Sequence, residues 1–443
     1  MAVSASALGD ALAAVVGRDF LKDDPGVLAR HAVDGLLPRW VAFPGGAQEM
    51  SGLIKVASEE RLALTPWGSG TRIGLGNIPT RVDLVLNLSR LSRVLEYSPD
   101  DLTVTVEAGA SLLALSRHLS RHHQFLPLDP LDGPARTVGG VTATDSSGPL
   151  RFRYGTARDL LLGVRFIQAD GAVTWGGARV VKSVTGYDIP KLMVGALGSL
   201  GVIAELTLRL HPLPEAEQSW LCRFHSADRA GEFIQRLLDS SLQPNRLAFL
   251  NGEALQAMDH GGEGTVGVAL SVGSVPEAVL AQGEEALRLA RSLGGEGREV
   301  GQSDFWAGPG QAIHGEKDEQ AVVLKVTTLV PHLVKQAVLI EATGHRLGLR
   351  VRTVAEAGNG ALHVRLGGRL AVEEWERSVI APLRERLALE GGSCVVEEAA
   401  RPIKDRLEVW GPVEPAAFAI MKRLKNNFDP QSMLNPGRFV GRL

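Results

Sequence analysis

The sequence predicts an α+β protein of two domains, and three observations carry that expectation. The chain has 443 residues, whereas a single hydrophobic core stops growing at about 250 to 300. Short helix and strand patterns alternate through the N-terminal half, and the texture then changes at His211-Pro212-Leu213-Pro214. Beyond those prolines, longer strand and helix patterns follow one another as β-α-β units, which suggests an antiparallel sheet backed by helices. The expected boundaries are 1–214 for the first domain, 215–407 for the second, and 408–443 for a C-terminal segment.

Each element has a local reason. AQEMSGLIKVASEERL has helical spacing, and LALTP after it reads as a short buried strand. VDLVLNLSRL and DLTVTVEAG are strand patterns separated by turn residues around Ser98-Pro99-Asp100. Ser111 is an N-cap for a helix that carries Leu112, Leu115 and Leu119 on one face. LLGVRFIQADGAVTWGG predicts a hairpin turned at Asp170-Gly171, and SLGVIAELTLRL a further strand. In the second domain the strands are SWLCRF, VGVALSVG, VVLKVTTL and LHVRLGG, with helices over RAGEFIQRLLDSS, PEAVLAQGEEALRLARSLGG and PHLVKQAVLIEATGHRLG. The tail is a helix, EPAAFAIMKRLKNNF, followed by the turn-rich DPQSMLNPGRF.

Composition narrows the function. Lys+Arg number 47 against 50 Asp+Glu, a net charge of -3, so nothing favours nucleic acid as a partner. Two cysteines, Cys222 and Cys394, are too few for a disulfide framework or an iron–sulfur cluster of the chain's own. No apolar run approaches the ~20 residues of a membrane span, and the N-terminus lacks the early basic charge of a signal peptide. The cytoplasm is the default location, with any membrane attachment peripheral and through partners. His118 and His122 stand four apart on a helix but have no third ligand, so no metal site is expected.

The stretch PWGSGTRIGLG holds Gly68, Gly70, Gly74 and Gly76. It fails the dinucleotide fingerprint because Ile73 takes the third glycine's place, and it has no Walker lysine. The residues after Gly76 read as turn and strand, whereas both motifs open a helix. The loop's freed N–H groups can still cradle an anion. Gly262, Gly264 and Gly267 do match G-x-G-x-x-G, but they precede a strand, the reverse of the required context. A second unusual segment, PLDPLDGPARTVGGVTATDSSGPLRFRYGTARD, is rich in small polar residues that expose backbone and hydroxyl groups. Two such segments favour a large polar ligand.

Four motifs in order resemble FAD-dependent oxidases and dehydrogenases of the vanillyl-alcohol oxidase / p-cresol methylhydroxylase type. They are PWGSGTRIG, TVGGVTATDSSGPLRFRYGTARDLLLGV, GGARVVKSVTGYDIPKLMVGALGSLGVIAELTLRL and FDPQSMLNPGR. The resemblance implies a two-part FAD-binding domain, formed by the N-terminal half and the returning tail, with an inserted α+β cap domain. It puts FAD phosphates on Gly68, Ser69, Gly70, Thr71 and Arg72, with Trp67 at the entrance. Pro130, Thr137, Gly139, Gly140, Thr144 and Ser147 would line the ribityl, diphosphate and flavin side, Val202 and Ile203 the adenine side, and Asn435 the isoalloxazine region. FAD is expected to be non-covalent, because the loop has no His and neither Cys lies in a flavin motif. Lys182, Tyr187 and Asp188 match the third motif and are read as structural.

Within that family, VVKSVTGYDIPKL, GALGSLGVI and VEEAARPIKDRLEVWGP look like the E subunit of glycolate oxidase. The implied partners are a catalytic flavin subunit and an iron–sulfur subunit, and the implied substrates are glycolate or lactate. Relatives that oxidise 2-hydroxy acids directly carry a G-H-x-G-D-G-N-x-H motif and a later E-H-G. Here Glu356 and Asn359 replace a His and an Asp, His363 is kept, Glu397 survives, and Glu398 replaces the second His. Extra carboxylates repel an anionic acid, so the chain is expected not to be the main catalytic subunit, and His363 is the one catalytic candidate. The alternatives are a freestanding FAD-dependent dehydrogenase for a 2-hydroxy acid or alcohol, and a structural subunit that has lost its flavin.

Overall fold

The computed structural model describes residues 5–178, 186–262, 264–316, 318 and 320–443. β1 (Leu21–Lys22), β2 (Trp40–Ala42), β3 (Leu64–Trp67) and β4 (Leu84–Asn87) form a sheet in the order β1-β2-β4-β3. β4 is parallel to both β2 and β3. β2, β3 and β4 are short, mostly apolar and mostly buried runs, as expected where both faces are covered. The amphipathic helix Ala47–Glu59 makes the crossover from β2 to β3, burying Met50, Leu53, Ile54 and Ala57.

Next come β5 (Val94–Ser98), β6 (Thr103–Glu107), the two-residue β7 (Gln124–Phe125), β8 (Leu161–Ile167), β9 (Val173–Gly177), β10 (Val202–Arg209) and the two-residue β11 (His211–Pro212). β7 pairs with β11. The other five form an antiparallel sheet in the order β5-β6-β10-β8-β9. The hairpin expected at Asp170-Gly171 is the β8-β9 connection, with Gly171 at φ 84°. Ser111 caps the helix Leu112–Leu119 by accepting the Ala114 N–H. β5 was not anticipated; it is a half-exposed hairpin partner of β6 whose pattern is too mixed to stand out.

The remaining strands are β12 (Ala216–Phe224), β13 (Arg246–Leu250), β14 (Val266–Ser274), β15 (Glu296–Val300), β16 (Val322–Thr327), β17 (Arg350–Glu356), β18 (Ala361–Gly367) and β19 (Ser393–Glu398). They form one antiparallel sheet, β15-β12-β14-β13-β17-β18-β16-β19. Alternation along β12 sends Trp220, Cys222 and Phe224 to one face and Leu221 to the other. The first face packs under helices Ala227–Leu238, Pro276–Ser292 and Leu333–Arg346; the second packs under Gly252–Ala257 and Gln302–His314.

The chain's end returns to its beginning. After the helix Pro415–Phe428, Leu434 bridges Leu64 beside β3, and Met433 and Leu434 join the core that runs from Leu8 to Leu210. Lys425 holds this turn: its buried Nζ donates to Asp429 at 2.6 Å and to the carbonyls of Ser199 and Leu434. Of the reversed glycine motif, Gly262 and Gly264 precede β14 and Gly267 lies within it, so the motif leads into a strand. His118 and His122 pack against the Tyr97 ring. Asp188 caps the helix Ile189–Met193 and Tyr187 is exposed, whereas Lys182 lies outside the described residues.

Candidate active site

The glycine loop joins β3 to its parallel neighbour β4 without a helix between them, which is why neither nucleotide motif fits it. The N–H groups of Ser69, Gly70, Thr71 and Arg72 have no protein acceptor among the described residues. The loop's carbonyls face cations instead: Lys404 donates to Gly74, and Arg438 to Ile73 and Leu75. Two glycines here have no room for a side chain. A Cβ on Gly68 would meet Thr137 Oγ1 at 2.3 Å, and one on Gly70, at φ 80°, would meet the Trp67 ring at 2.6 Å.

Opposite the loop, Thr137 caps the short helix Val138–Thr144 by accepting the Gly140 N–H. Loop and helix enclose a slot lined by Trp67, Gly68, Ser69, Gly70, Thr71, Arg72, Thr137, Gly139, Gly140, Thr144, Ile203 and Asn435. The structure thus gathers twelve of the fifteen expected cofactor residues in one cavity. Pro130 lines the adjoining chamber instead. Val202 is fully buried in the core, and Ser147 turns its hydroxyl toward Glu356 at 3.4 Å.

Arg136 and Arg438 also line the slot, and sequence reasoning missed both. Arg438 lies in the same NPGR stretch as Asn435, so the signal was present but unused; Arg136 has no motif that announces it. Arg136 is 1% exposed, bound by Asp132 at 3.0 Å and by Thr144. Burial pulls the Arg438 guanidinium down to about 10. Asn435 Oδ1, Arg136 Nε and Arg438 Nε are buried without a hydrogen-bond partner, a state that costs free energy unless a ligand completes it. A cradle of free N–H groups, two buried guanidiniums and an amide oxygen fits a dinucleotide with a polar ring, and so fits FAD. When bound there, FAD supplies an acceptor for the hydride of an oxidised carbon.

Thr71 and Arg72 also belong to a second, larger cavity of about 1160 Å³, the chamber. Its walls come from the 125–134 segment, Glu217 and Arg246 at the ends of β12 and β13, the helix Gln302–His314, and Glu397 and Glu398 on β19. Arg72 leans out of the glycine loop into this wall, reaching Glu398 at 2.6 Å and Glu397 at 2.9 Å. Burial opposes its charge, but the two carboxylates and Asp132 raise its pKa overall. Burial would push Glu397 upward, yet Arg72 and His363 hold it well below the usual carboxylate range.

His363 is the centre of a buried chain that continues from Arg72 and Glu397. Its Nδ1 is 3.5 Å from Glu397 and its Nε2 3.6 Å from Glu356, whose other contacts are Ser147 and Asn359. These distances give charge attraction and leave both ring nitrogens without a hydrogen bond. Burial lowers the imidazole's pKa, but the flanking carboxylates outweigh it and raise it. His363 lines neither cavity. The chamber's own titrating group is Asp129, which sequence reasoning passed over: burial lifts it to about 7 against the pull of Arg246, 3.4 Å away, and the Leu150 N–H.

Known proteins agree with this architecture. Residues 38–177 match the FAD binding domain family, and residues 213–439 match the C-terminal domain of FAD linked oxidases. The mitochondrial D-lactate dehydrogenase [cytochrome] of Arabidopsis thaliana is 27% identical over 91% of this chain and 74% of its own. The glycolate oxidase subunit GlcD of Bacillus subtilis (strain 168) is 26% identical over 92% of this chain and 90% of its own. Among solved structures, substrate-bound p-cresol methylhydroxylase superposes with a TM-score of 0.76 at 17% identity, covering 98% of this chain and 96% of that one. The 4-ethylphenol oxidase of Gulosibacter chungangensis has the same TM-score at 16% identity, covering 98% and 97%. With its fold of the p-cresol methylhydroxylase type and two family domains in sequence, the chain belongs to the FAD-linked oxidases and is an FAD-linked oxidoreductase.

Proposed function

We propose that this chain is the FAD-binding subunit of a glycolate oxidase-type complex. In this reading it holds FAD without a covalent bond in the slot between the glycine loop and the helix Val138–Thr144, using the cofactor residues named above. It exchanges electrons with an iron–sulfur partner, while a separate flavin subunit oxidises the 2-hydroxy acid. The observation that carries the reading is the fate of the histidines. The one His at the relatives' motif positions, His363, is clamped between Glu356 and Glu397 away from the chamber, and Glu398 stands at the other His position. A general base must reach the proton it removes.

Non-covalent binding is supported by the slot's lining, which contains neither His nor Cys. Cys222 and Cys394 are buried in the cap core, where burial pushes both thiols up to about 12. No helix among the described residues is long and apolar enough to cross a membrane, so the reading brings the chain to a membrane only through its partners. A second reading, a freestanding dehydrogenase for another alcohol, is favoured by the size of the chamber beside the slot.

An absorption spectrum of the purified chain, followed by anaerobic glycolate and D-lactate, tests the proposal. Flavin bands that trichloroacetic acid releases from the protein, and that neither acid bleaches, are expected. Bleaching of the isolated chain would sink the subunit reading. Absence of flavin would leave only a structural role.

A further inference from the structure

Each arginine lining the chamber is gripped by two carboxylates of the chain itself. Arg72 is held by Glu398 at 2.6 Å and Glu397 at 2.9 Å; Arg246 is held by Glu217 at 2.6 Å and Asp129 at 3.4 Å. The lining carries five carboxylates, Asp129, Asp132, Glu217, Glu397 and Glu398, against these two guanidiniums. A bound carboxylate needs a cation whose charge is not already balanced to replace its water, and each lining arginine already faces two carboxylates of the chain, although Arg72 Nε itself has no partner.

The chamber is nevertheless polar. Gln311 and Ser116 line it with side chains that have no protein partner among the described residues, and Trp306 and Gln302 stand in the same wall. Uncharged donors and acceptors of this kind suit hydroxyl groups. The volume points the same way. A two-carbon acid takes the space of a few waters at about 30 Å³ each, a small part of about 1160 Å³.

We propose that the chamber admits uncharged, multiply hydroxylated molecules and rejects carboxylates, and that Glu398 and Glu217 set this selectivity by occupying Arg72 and Arg246. Glu397 is the less adjustable partner of Arg72, because it is 10% exposed and also faces His363. Glu398, at 39% exposure, lies on the chamber side and makes its second contact with His314 at 3.0 Å. The inference deepens the reading that hydroxy-acid oxidation takes place on another subunit, and explains how this chain would exclude that substrate.

Titration calorimetry of the flavin-loaded protein with oxalate and with xylitol tests it. Wild type is expected to give binding heat with xylitol and none with oxalate. Glu398→Gln frees one side of Arg72 and is expected to bind oxalate at least tenfold more tightly than wild type; adding Arg72→Gln abolishes that gain. Glu217→Gln makes the same test at Arg246, so the claim does not depend on one variant folding, and Glu398→Asp keeps the charge and should keep the rejection. Oxalate binding to wild type as tight as to Glu398→Gln, no gain in either Gln variant, or no xylitol heat would overturn the proposal. Oxalate binding to wild type without flavin bleaching by glycolate would overturn the selectivity alone and leave the subunit reading standing.

Discussion

His363 on β18 sits between two buried carboxylates of the cap, Glu356 on β17 and Glu397 on β19. Replacing it with Gln leaves Glu356 and Glu397 buried without that charge, and losing one partner of a buried ionic group costs about 3–5 kcal/mol. The sign of the pH effect follows from the raised pKa. The imidazolium's contribution is complete below its unfolded value near 6.5 and fades as pH rises through the higher folded value. Urea denaturation is therefore expected to give a larger His363→Gln loss at pH 6 than at pH 9; equal losses would refute a charged His363. Asp129 is also raised, to about 7, so its folded form binds the proton more tightly. That contribution is present at about pH 4 and is lost as pH rises through 7. Asp129→Asn should raise the melting temperature at pH 8 and leave it unchanged at pH 4. The sequence exposed His363 as the survivor of a motif but not its role, because its partners lie on different strands. Asp129 was invisible for a related reason, since its burial and Arg246 come from the packing of the cap against the 125–134 segment.

The glycine loop was legible as an element because spacing and context both rejected a helix, and β3 and β4 do flank it. Long amphipathic helices and the Asp170-Gly171 hairpin were equally plain, since their periodicity and turn chemistry are local. β13, β15, β17 and β19 escaped notice: they are five to seven residues long, and β13, β15 and β19 each pair with a strand distant in sequence. The slot repeats this division. The glycines and hydroxyls that form it could be read, whereas Arg136 and Arg438 reach it only through tertiary packing. The loop and the helix Val138–Thr144 meet so closely at Gly68 and Thr137 that one methyl separates open from closed. Gly68→Ala is expected to lower flavin content at least tenfold while leaving the far-UV circular dichroism unchanged. Thr137→Ala removes an N-cap, worth about 1 kcal/mol, but also removes the obstructing hydroxyl. The double variant should therefore regain flavin relative to Gly68→Ala alone, and failure to do so would show that the clash is not what closes the slot.

At the scale of the molecule, the slot is completed only when the last residues return across the chain. Asn435 and Arg438 line it, Leu434 bridges Leu64, and Arg438 holds the carbonyls of Ile73 and Leu75 that shape the glycine loop. The second core, from Trp220 to Val409, contains no residue beyond Trp410 among its members or the partly buried side chains packed on it. The two cores should therefore respond differently to loss of the end. Deleting 429–443 removes Met433 and Leu434 from the first core and takes Asp429 away from the buried Lys425. The unpaired ammonium alone costs several kcal/mol in a site of that burial. Scanning calorimetry of the truncated chain is expected to show a strongly lowered transition for the flavin-binding part and a retained one for the cap, with flavin absorbance lost. Lys425→Met with the tail intact separates the two causes. It removes the charge without opening the slot, so it should keep flavin if Asn435 and Arg438 carry the binding. A truncated chain that still copurifies with a full complement of flavin would refute the tail's part in the site.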